Sequence, residues 1–401
     1  MPTAQHRAPI AGRPCTGVPG APPTGGALLA YYLFDGGSGG AGRADRRWPV
    51  RGAGRGRPAS ARGLTGASSW LEAESPIAGQ EYGTGLAAAD VDADGRPELA
   101  QVTGVDAVYG HDFGDDRNPA NPEFLYGVPT EEGFRPTGLT AGDYDKDGYE
   151  DLVVLGTEPQ LEYVQSRSVL LRGGADGITM DRMFSGGTSG ASADINKDGY
   201  PDLVVGDPRV LEHGEYDLSP GSVQVRYGSE DGLFGASGED RPQIFEQSKD
   251  GIPGSSEVGD DFGSDVSLGD VNGDGYPDLA VGSRGESIGD REKAGAVWLL
   301  RGSARGLTAA GVKDINQDTA GVPGVAEAGD AFGGQVRLID ANRDGRAELV
   351  VGAPGENSPE GHVWVFPGSA SGPATAGSWT FGAAALGAPQ HSAHFGATLG
   401  K

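Results

Sequence analysis

One ten-residue segment recurs five times along this chain of 401 residues, and that repetition constrains the fold more than any other feature. The copies are DVDADGRPEL (90–99), DYDKDGYEDL (143–152), DINKDGYPDL (194–203), DVNGDGYPDL (270–279) and DANRDGRAEL (340–349). Their first Asp residues lie 53, 51, 76 and 70 positions apart. The last interval is a close internal duplication. Gln247, Gly251, Pro253, Gly254, Glu257, Gly259, Asp260, Phe262 and Gly263 return 70 positions later as Gln317, Gly321, Pro323, Gly324, Glu327, Gly329, Asp330, Phe332 and Gly333. Self-similarity at such a period means that one supersecondary unit is stacked on copies of itself.

Each unit reads as four short strands. An aromatic-Gly pair stands eight residues ahead of three of the Asp segments, as Tyr82-Gly83, Phe262-Gly263 and Phe332-Gly333. After the segment comes an apolar run such as Leu279–Val281 or Leu349–Val351, then a third strand such as 221–227, 296–300 or 362–366. A weakly marked fourth strand is expected near Ser378–Phe381. Four strands in roughly 50–75 residues, repeated, are the pattern of propeller blades. The expected fold is therefore all-β, a β-propeller of four-stranded blades occupying 61–401. Five full units run from about 82 to 394, and Phe395-Gly396 begins another. Ala61–Thr65 duplicates Ala304–Thr308, so an earlier unit ends near 66, and six or seven blades are expected, the last incomplete or built from both termini.

Composition agrees. The 72 glycines recur in register with short Val/Leu runs, which suits many turns between many strands. Net charge is −26, which disfavours nucleic acid and favours cations. Residues 1–66 run against that trend, with nine Arg against Asp35 and Asp45. Residues 1–60 read as a poorly ordered Gly/Pro/Arg-rich segment or part of an incomplete blade. Cys15 is the single cysteine, so no internal disulfide and no Cys-based metal site can form. No apolar run approaches the roughly 18 residues of a membrane span. Ala27–Phe34 is apolar but does not make a clear signal peptide.

The recurring segment has the chemistry of a calcium loop. D-x-[DN]-x-D-G sets carboxylate or amide oxygens at positions 1, 3 and 5 of a tight turn, and hard cations take six to eight oxygens. Gly at position 6 permits the bend. Position 7 would offer its backbone carbonyl, so its side chain is free to vary, and position 9 is acidic in every copy. The candidate ligands are Asp90, Asp92, Asp94, Arg96 and Glu98 in loop 1, and Asp143, Asp145, Asp147, Tyr149 and Asp151 in loop 2. Loop 3 offers Asp194, Asn196, Asp198, Tyr200 and Asp202, and loop 4 Asp270, Asn272, Asp274, Tyr276 and Asp278. Loop 5 offers Asp340, Asn342, Asp344, Arg346 and Glu348. About five Ca²⁺ sites are expected. EF-hands share the first half of this pattern but need a bidentate Glu at position 12 and a following helix. Position 12 here is Gln101, Val154, Val205, Val281 or Val351, and the flanks are β-type. Solvated Asp/Gly turns are the competing reading, weakened by five copies with oxygen residues at the same four positions.

The Phe-Gly pair, the D-x-[DN]-x-D-G-x-x-[DE]-L loop and Gly352-Ala353-Pro354 together resemble the FG-GAP repeat of integrin α-chain propellers, and bacterial FG-GAP/VCBS proteins. The same repeat forms the non-catalytic propeller of glycosylphosphatidylinositol-specific phospholipase D. Gly206-Asp-Pro208 and Gly282-Ser-Arg284 replace Gly-Ala-Pro elsewhere, and Arg135-Pro136 and Gly186-Gly187 replace Phe-Gly before loops 2 and 3. The resemblance implies seven blades, with calcium loops on one face and partner-binding loops on the other.

No nucleophile elbow, phosphate loop or dinucleotide fingerprint stands in its required context. His391 and His394 lack a third zinc ligand and read as loop histidines. Trp298 and Trp364 read as packing between blades rather than as a sugar platform. The stretches 211–218 and 239–259 read as polar loops open to partners. The function expected is a non-enzymatic, calcium-binding, extracellular interaction or adhesion scaffold, a monomer, with an unidentified protein or glycan ligand. The alternative is a carbohydrate-binding module or the propeller of a secreted hydrolase or lyase.

Overall fold

The structure, a computed structural model, describes residues 82–95, 97–103, 107–111, 123–127, 133–159, 164–208, 221–249, 251–357 and 359–400. The expectations for 1–60, for the unit ending near 66 and for the loop at 211–218 lie outside the described residues.

Twenty strands form five four-stranded antiparallel sheets, each built from four consecutive strands. Blade 1 holds β1 (Tyr82–Ala89), β2 (Glu98–Thr103), β3 (Ala107–His111) and β4 (Glu123–Gly127). Blade 2 holds β5 (Arg135–Gly142), β6 (Asp151–Pro159), β7 (Val164–Arg172) and β8 (Thr179–Ser185). Blade 3 holds β9 (Ser189–Ala193), β10 (Asp202–Asp207), β11 (Ser222–Arg226) and β12 (Gln243–Phe245). Blade 4 holds β13 (Phe262–Gly269), β14 (Asp278–Ser283), β15 (Ala296–Arg301) and β16 (Thr308–Ile315). Blade 5 holds β17 (Gln335–Ile339), β18 (Glu348–Ala353), β19 (His362–Phe366) and β20 (Trp379–Gly382). These are propeller blades, and the described sheets do not close a ring.

The five expected units are the five sheets, and the weakly marked fourth strand of the last unit is β20. One expectation needs correction. The stretch 239–259 is not loop throughout, because β12 within it is the fourth strand of blade 3 and pairs with β11 from Val223↔Phe245 to Val225↔Gln243. Its three residues give no readable alternation, and only Phe245 is buried.

Apolar layers between adjacent blades hold the series together. Val204, Val223 and Val225 of blade 3 pack with Val266, Val281 and Trp298 of blade 4. The next layer joins Ala280, Val297 and Leu299 of blade 4 to Val336, Val351 and Trp364 of blade 5. Similar layers join blade 1 to blade 2 and blade 2 to blade 3. The second strands of blades 2 to 5 each face an apolar layer on both sides, and β10, β14 and β18 are buried at every residue. That explains the continuous apolar runs, since successive side chains of a strand point to opposite faces. The tryptophans are packing residues, only 2% and 1% exposed, with Phe262 and Phe332 edge-on to them at 5.4 Å. Truncating such a side chain to Ala costs about 3–5 kcal/mol.

Glycine pairs let the blades approach this closely. A Cβ on Gly282 would stand 2.0 Å from the carbonyl oxygen of Gly333, which itself has φ +87°. The Gly of the Phe-Gly pair therefore rests on the first Gly of the Gly-Ala-Pro position in the preceding blade, and Gly206 with Gly263 and Gly352 with Gly396 do the same. Phe395 and Leu399 extend the pattern beyond blade 5, packing with Val350, Val363 and Val365 on its outer face.

Candidate metal centres

All five Asp loops occupy one structural position, the turn from the first to the second strand of a blade. The first strands end at Ala89, Gly142, Ala193, Gly269 and Ile339, immediately before position 1. The second strands begin at Glu98, Asp151, Asp202, Asp278 and Glu348, which are position 9. A strand rather than a helix follows each loop, in agreement with the rejection of the EF-hand reading.

Backbone hydrogen bonds shape each loop around its own acids. The position-1 carboxylate accepts from the Gly at position 6, with N···O distances of 2.8 Å at Asp90, 3.1 Å at Asp143, 3.0 Å at Asp194, 2.7 Å at Asp270 and 3.0 Å at Asp340. Position 3 accepts from the N–H of position 5 in every loop, at 3.1 Å for Asp92, 3.3 Å for Asp145, 2.9 Å for Asn196 and 2.8 Å for both Asn272 and Asn342. Position 5 accepts from the N–H of position 7 in loops 2 to 5, through Asp147, Asp198, Asp274 and Asp344. Position 9 reaches back from the sheet to the N–H of position 2, from Glu98 to Val91, Asp202 to Ile195, Asp278 to Val271 and Glu348 to Ala341. Asp151, Asp202 and Asp278 also accept from Gly173, Gly228 and Gly302 at the start of the turn between the third and fourth strands. In blades 3 and 4 the position-9 acid thus ties two turns of its blade together.

Sequence reasoning found the Gly at position 6 but missed position 4. Ala93, Lys146, Lys197, Gly273 and Arg343 there all have φ between 56° and 78°. Two left-handed residues flanking position 5 curl the backbone so that the oxygens of positions 1, 3 and 5 converge. A left-handed non-glycine residue costs about 1–2 kcal/mol, so four loops hold strain at this point. Only loop 4 carries a glycine at position 4 that could have signalled it.

The oxygens fit a hard cation. Oδ1 of Asp90, Asp143 and Asp194 is buried without a hydrogen-bond partner. Buried polar atoms are seldom left unpaired in native proteins, and these three belong to position 1 of three loops. Asp90, Asp92 and Glu98 bring ligand oxygens within 4.8 Å of one another, as do Asp143, Asp145 and Asp147. Burial is the first cause that raises Glu98, Asp151 and Asp202 to about 7 and Asp278 to about 6, with nearby loop carboxylates adding to it. Asp143 and Glu348 are also raised, chiefly by burial. A divalent ion would supply the missing positive charge. Loops 4 and 5 differ in detail, since Oδ1 of Asp270 accepts from Gly273 and Asp274, and that of Asp340 from Asp344.

Position 7 needs a correction. In loops 3 and 5 its side chain, Tyr200 or Arg346, is not free to vary without consequence, because it touches the loop of the preceding blade. Arg346 Nε donates to the carbonyl of Asn272 at 3.2 Å, and Lys146 Nζ lies 5.4 Å from the Tyr200 ring centroid. Neighbouring loops also bond through their backbones, Glu150 N–H to Asp90 O at 3.0 Å and Ala347 N–H to Asp270 O at 2.7 Å. Arg96 lies outside the described residues.

Comparison with known proteins agrees with this architecture. The family described as FG-GAP repeat matches residues 186–223, 262–300 and 332–366, which fall in blades 3, 4 and 5. Phosphatidylinositol-glycan-specific phospholipase D of Mus musculus is 32% identical over 182 residues, covering 44% of this chain and 19% of that protein. Integrin alpha-3 of Mus musculus is 32% identical over 168 residues, covering 42% and 14%. Integrin alpha pat-2 of Caenorhabditis briggsae is 28% identical over 225 residues, covering 53% and 17%. The matched stretch spans a fifth or less of each relative. Three FG-GAP repeats thus lie within blades 3, 4 and 5 of this chain, and integrin α chains are among the proteins similar to it.

Proposed function

We propose that this protein is a non-enzymatic interaction scaffold working outside the cell, its blades locked by Ca²⁺ in the five Asp loops. One observation carries the calcium part. The same loop geometry recurs five times, and the position-1 carboxylate keeps an unpartnered buried oxygen in three of the copies. The ligands would be the side-chain oxygens of positions 1, 3, 5 and 9 with the backbone carbonyl of position 7. So many protein oxygens suit Ca²⁺ better than Mg²⁺, which keeps several waters. Integrin relatives support the scaffold role at a coarse level. Extracellular modules bind Ca²⁺ with dissociation constants of about 10⁻⁴–10⁻³ M, which agrees with partly exposed loops of this kind.

Thermal unfolding with and without a calcium chelator tests the reading. Each ion held at 100 times its dissociation constant adds about 2.7 kcal/mol of stability, so chelation should lower the melting temperature by many degrees. An unchanged melting temperature would refute calcium binding.

A second reading rests on the phospholipase D relatives. In it the propeller accompanies a hydrolase and binds or presents its substrate. Turnover of a glycosylphosphatidylinositol by the purified chain would replace the scaffold reading.

A further inference from the structure

The other end of blades 4 and 5 carries a second duplicated cluster, which the Asp loops do not explain. Antiparallel order sends the first-to-second and third-to-fourth turns to one end of a blade. The second-to-third turn and the linker between blades go to the other. In the linker from β16 to β17 stand Gln317, Glu327 and Asp330, and Glu356 follows β18. In the linker from β12 to β13 stand Gln247, Glu257 and Asp260, and Glu286 follows β14. All four pairs are 70 positions apart.

The two clusters share their contacts. Gln247 Nε2 donates to Glu286 Oε2 at 2.8 Å, and Gln317 Nε2 to Glu356 Oε2 at 2.6 Å. Asp260 Oδ2 accepts from the N–H of Glu257 and Asp330 Oδ2 from that of Glu327, both at 2.7 Å. Indole N–H groups pin the linkers, Trp298 to Pro253 O at 3.0 Å and Trp364 to Pro323 O at 2.8 Å. Gln247 and Gln317 are each 1% exposed, and Asp260 and Asp330 are 3% and 2% exposed.

Both glutamines leave Oε1 buried without a partner. In each copy that oxygen belongs to the amide whose N–H donates to the glutamate. Burial first, and then the charge of Asp260, raises Glu286 to about 7, and burial with Asp330 does the same to Glu356. An unpaired buried amide oxygen in a cluster that also holds two carboxyl groups is the kind of oxygen set a hard cation takes.

We propose that each linker seam holds a divalent cation of the Ca²⁺ class, one through Gln247, Asp260 and Glu286 and one through Gln317, Asp330 and Glu356. These ions are separate from those of the Asp loops and lie at the opposite end of the blades. Each would clamp the linker entering a blade to the turn after that blade's second strand.

Equilibrium dialysis of the full chain against Ca²⁺ tests this by counting bound ions. Glu286→Gln with Glu356→Gln keeps side-chain size and should bind two fewer ions per chain, while the loop ions remain. An equal count in the folded double variant overturns the proposal, and that is also the outcome if the carboxyl pairs merely share protons. If that variant fails to fold, Gln247→Met with Gln317→Met keeps the carboxylates and carries the same comparison. Terbium luminescence gives a second readout, since Trp298 and Trp364 border the seams. Emission sensitised by tryptophan and displaced by Ca²⁺ is expected in the native chain, and its absence overturns the proposal.

Discussion

Position 3 of the loop sets blades 1 and 2 apart from blades 3 to 5, and the difference separates what the backbone does from what a bound ion would do. Position 3 is Asp92 or Asp145 in the first pair and Asn196, Asn272 or Asn342 in the others. The Asn amide donates to a neighbouring acid, Asn196 to Asp198 at 2.8 Å, Asn272 to Asp274 at 2.9 Å and Asn342 to Glu348 at 2.7 Å. An Asp has no proton to donate there. Loop 2 offsets this with Arg172, whose guanidinium pairs with Asp145. Clusters of three acids with converging ligand oxygens occur, among the described residues, in loops 1 and 2. Two like charges 4 Å apart repel by about 1 kcal/mol even in bulk water. Loop 1 is therefore expected to gain most from a bound cation and loops 3 to 5 least.

Chelation should have the largest effect and should act unevenly. Hydrogen exchange without calcium is expected to speed up first at β1 and β2, then in blade 2, with β14 and β18 protected longest. Uniform loss of protection would break the comparison. The exchange Asp92→Asn with Asp145→Asn should convert the first two loops to the type of the others. Calcium affinity should fall about tenfold at those loops, equivalent to about 1.4 kcal/mol. Stability without calcium should rise by about 0.5–1 kcal/mol through loop 1, a range common for surface charge pairs, while in loop 2 the lost Arg172 pair cancels the gain. Arg172→Met should oppose this in blade 2 and leave blade 1 unchanged.

Acidity tests the same contrast. The raised carboxyls bind protons in the folded state that they release on unfolding, so each contributes stability that is present below its ordinary value and lost as pH rises through its folded value. Without calcium, the melting temperature should therefore drop between about pH 5 and 7, as Glu98, Asp151 and Asp202 pass about 7 and Asp278 passes about 6. Calcium needs these groups ionised, so its affinity should weaken on acidification through the same window. Melting curves across that range with and without calcium check both slopes, and parallel slopes would refute the coupling.

Fold and loops were legible for different reasons. Five copies of one pattern place five sheets, because each copy runs into a second strand whose apolar residues pack against neighbouring layers. The acids at positions 1, 5 and 9 were readable because each position is a carboxylate in all five copies. The left-handed backbone at position 4 left almost no trace, since Ala93, Lys146, Lys197 and Arg343 adopt it despite the strain. β12 was hidden because Gln243–Phe245 is too short for an alternation to show. The contacts of position 7 are made to another repeat 50–75 residues away, and no local pattern reports them.

Those contacts give the smallest expected effect and the sharpest view of how loops communicate. Arg346 joins loop 5 to the position-3 carbonyl of loop 4, and Lys146 of loop 2 meets Tyr200 of loop 3. A carbonyl that accepts a hydrogen bond from a cationic side chain holds its peptide, and hence Asn272, in place. Arg346→Ala should therefore weaken calcium binding at loop 4 as well as loop 5, while costing the fold only about 0.5–1.5 kcal/mol for one partly exposed hydrogen bond. Lys146→Met should have a lesser effect, about 0.5 kcal/mol for an exposed cation–π contact. Calcium titration of Arg346→Ala separates the cases. Weakening confined to loop 5 would mean that each loop binds on its own. Weakening of both would mean that the loops along one end of the blades are coupled through position 7.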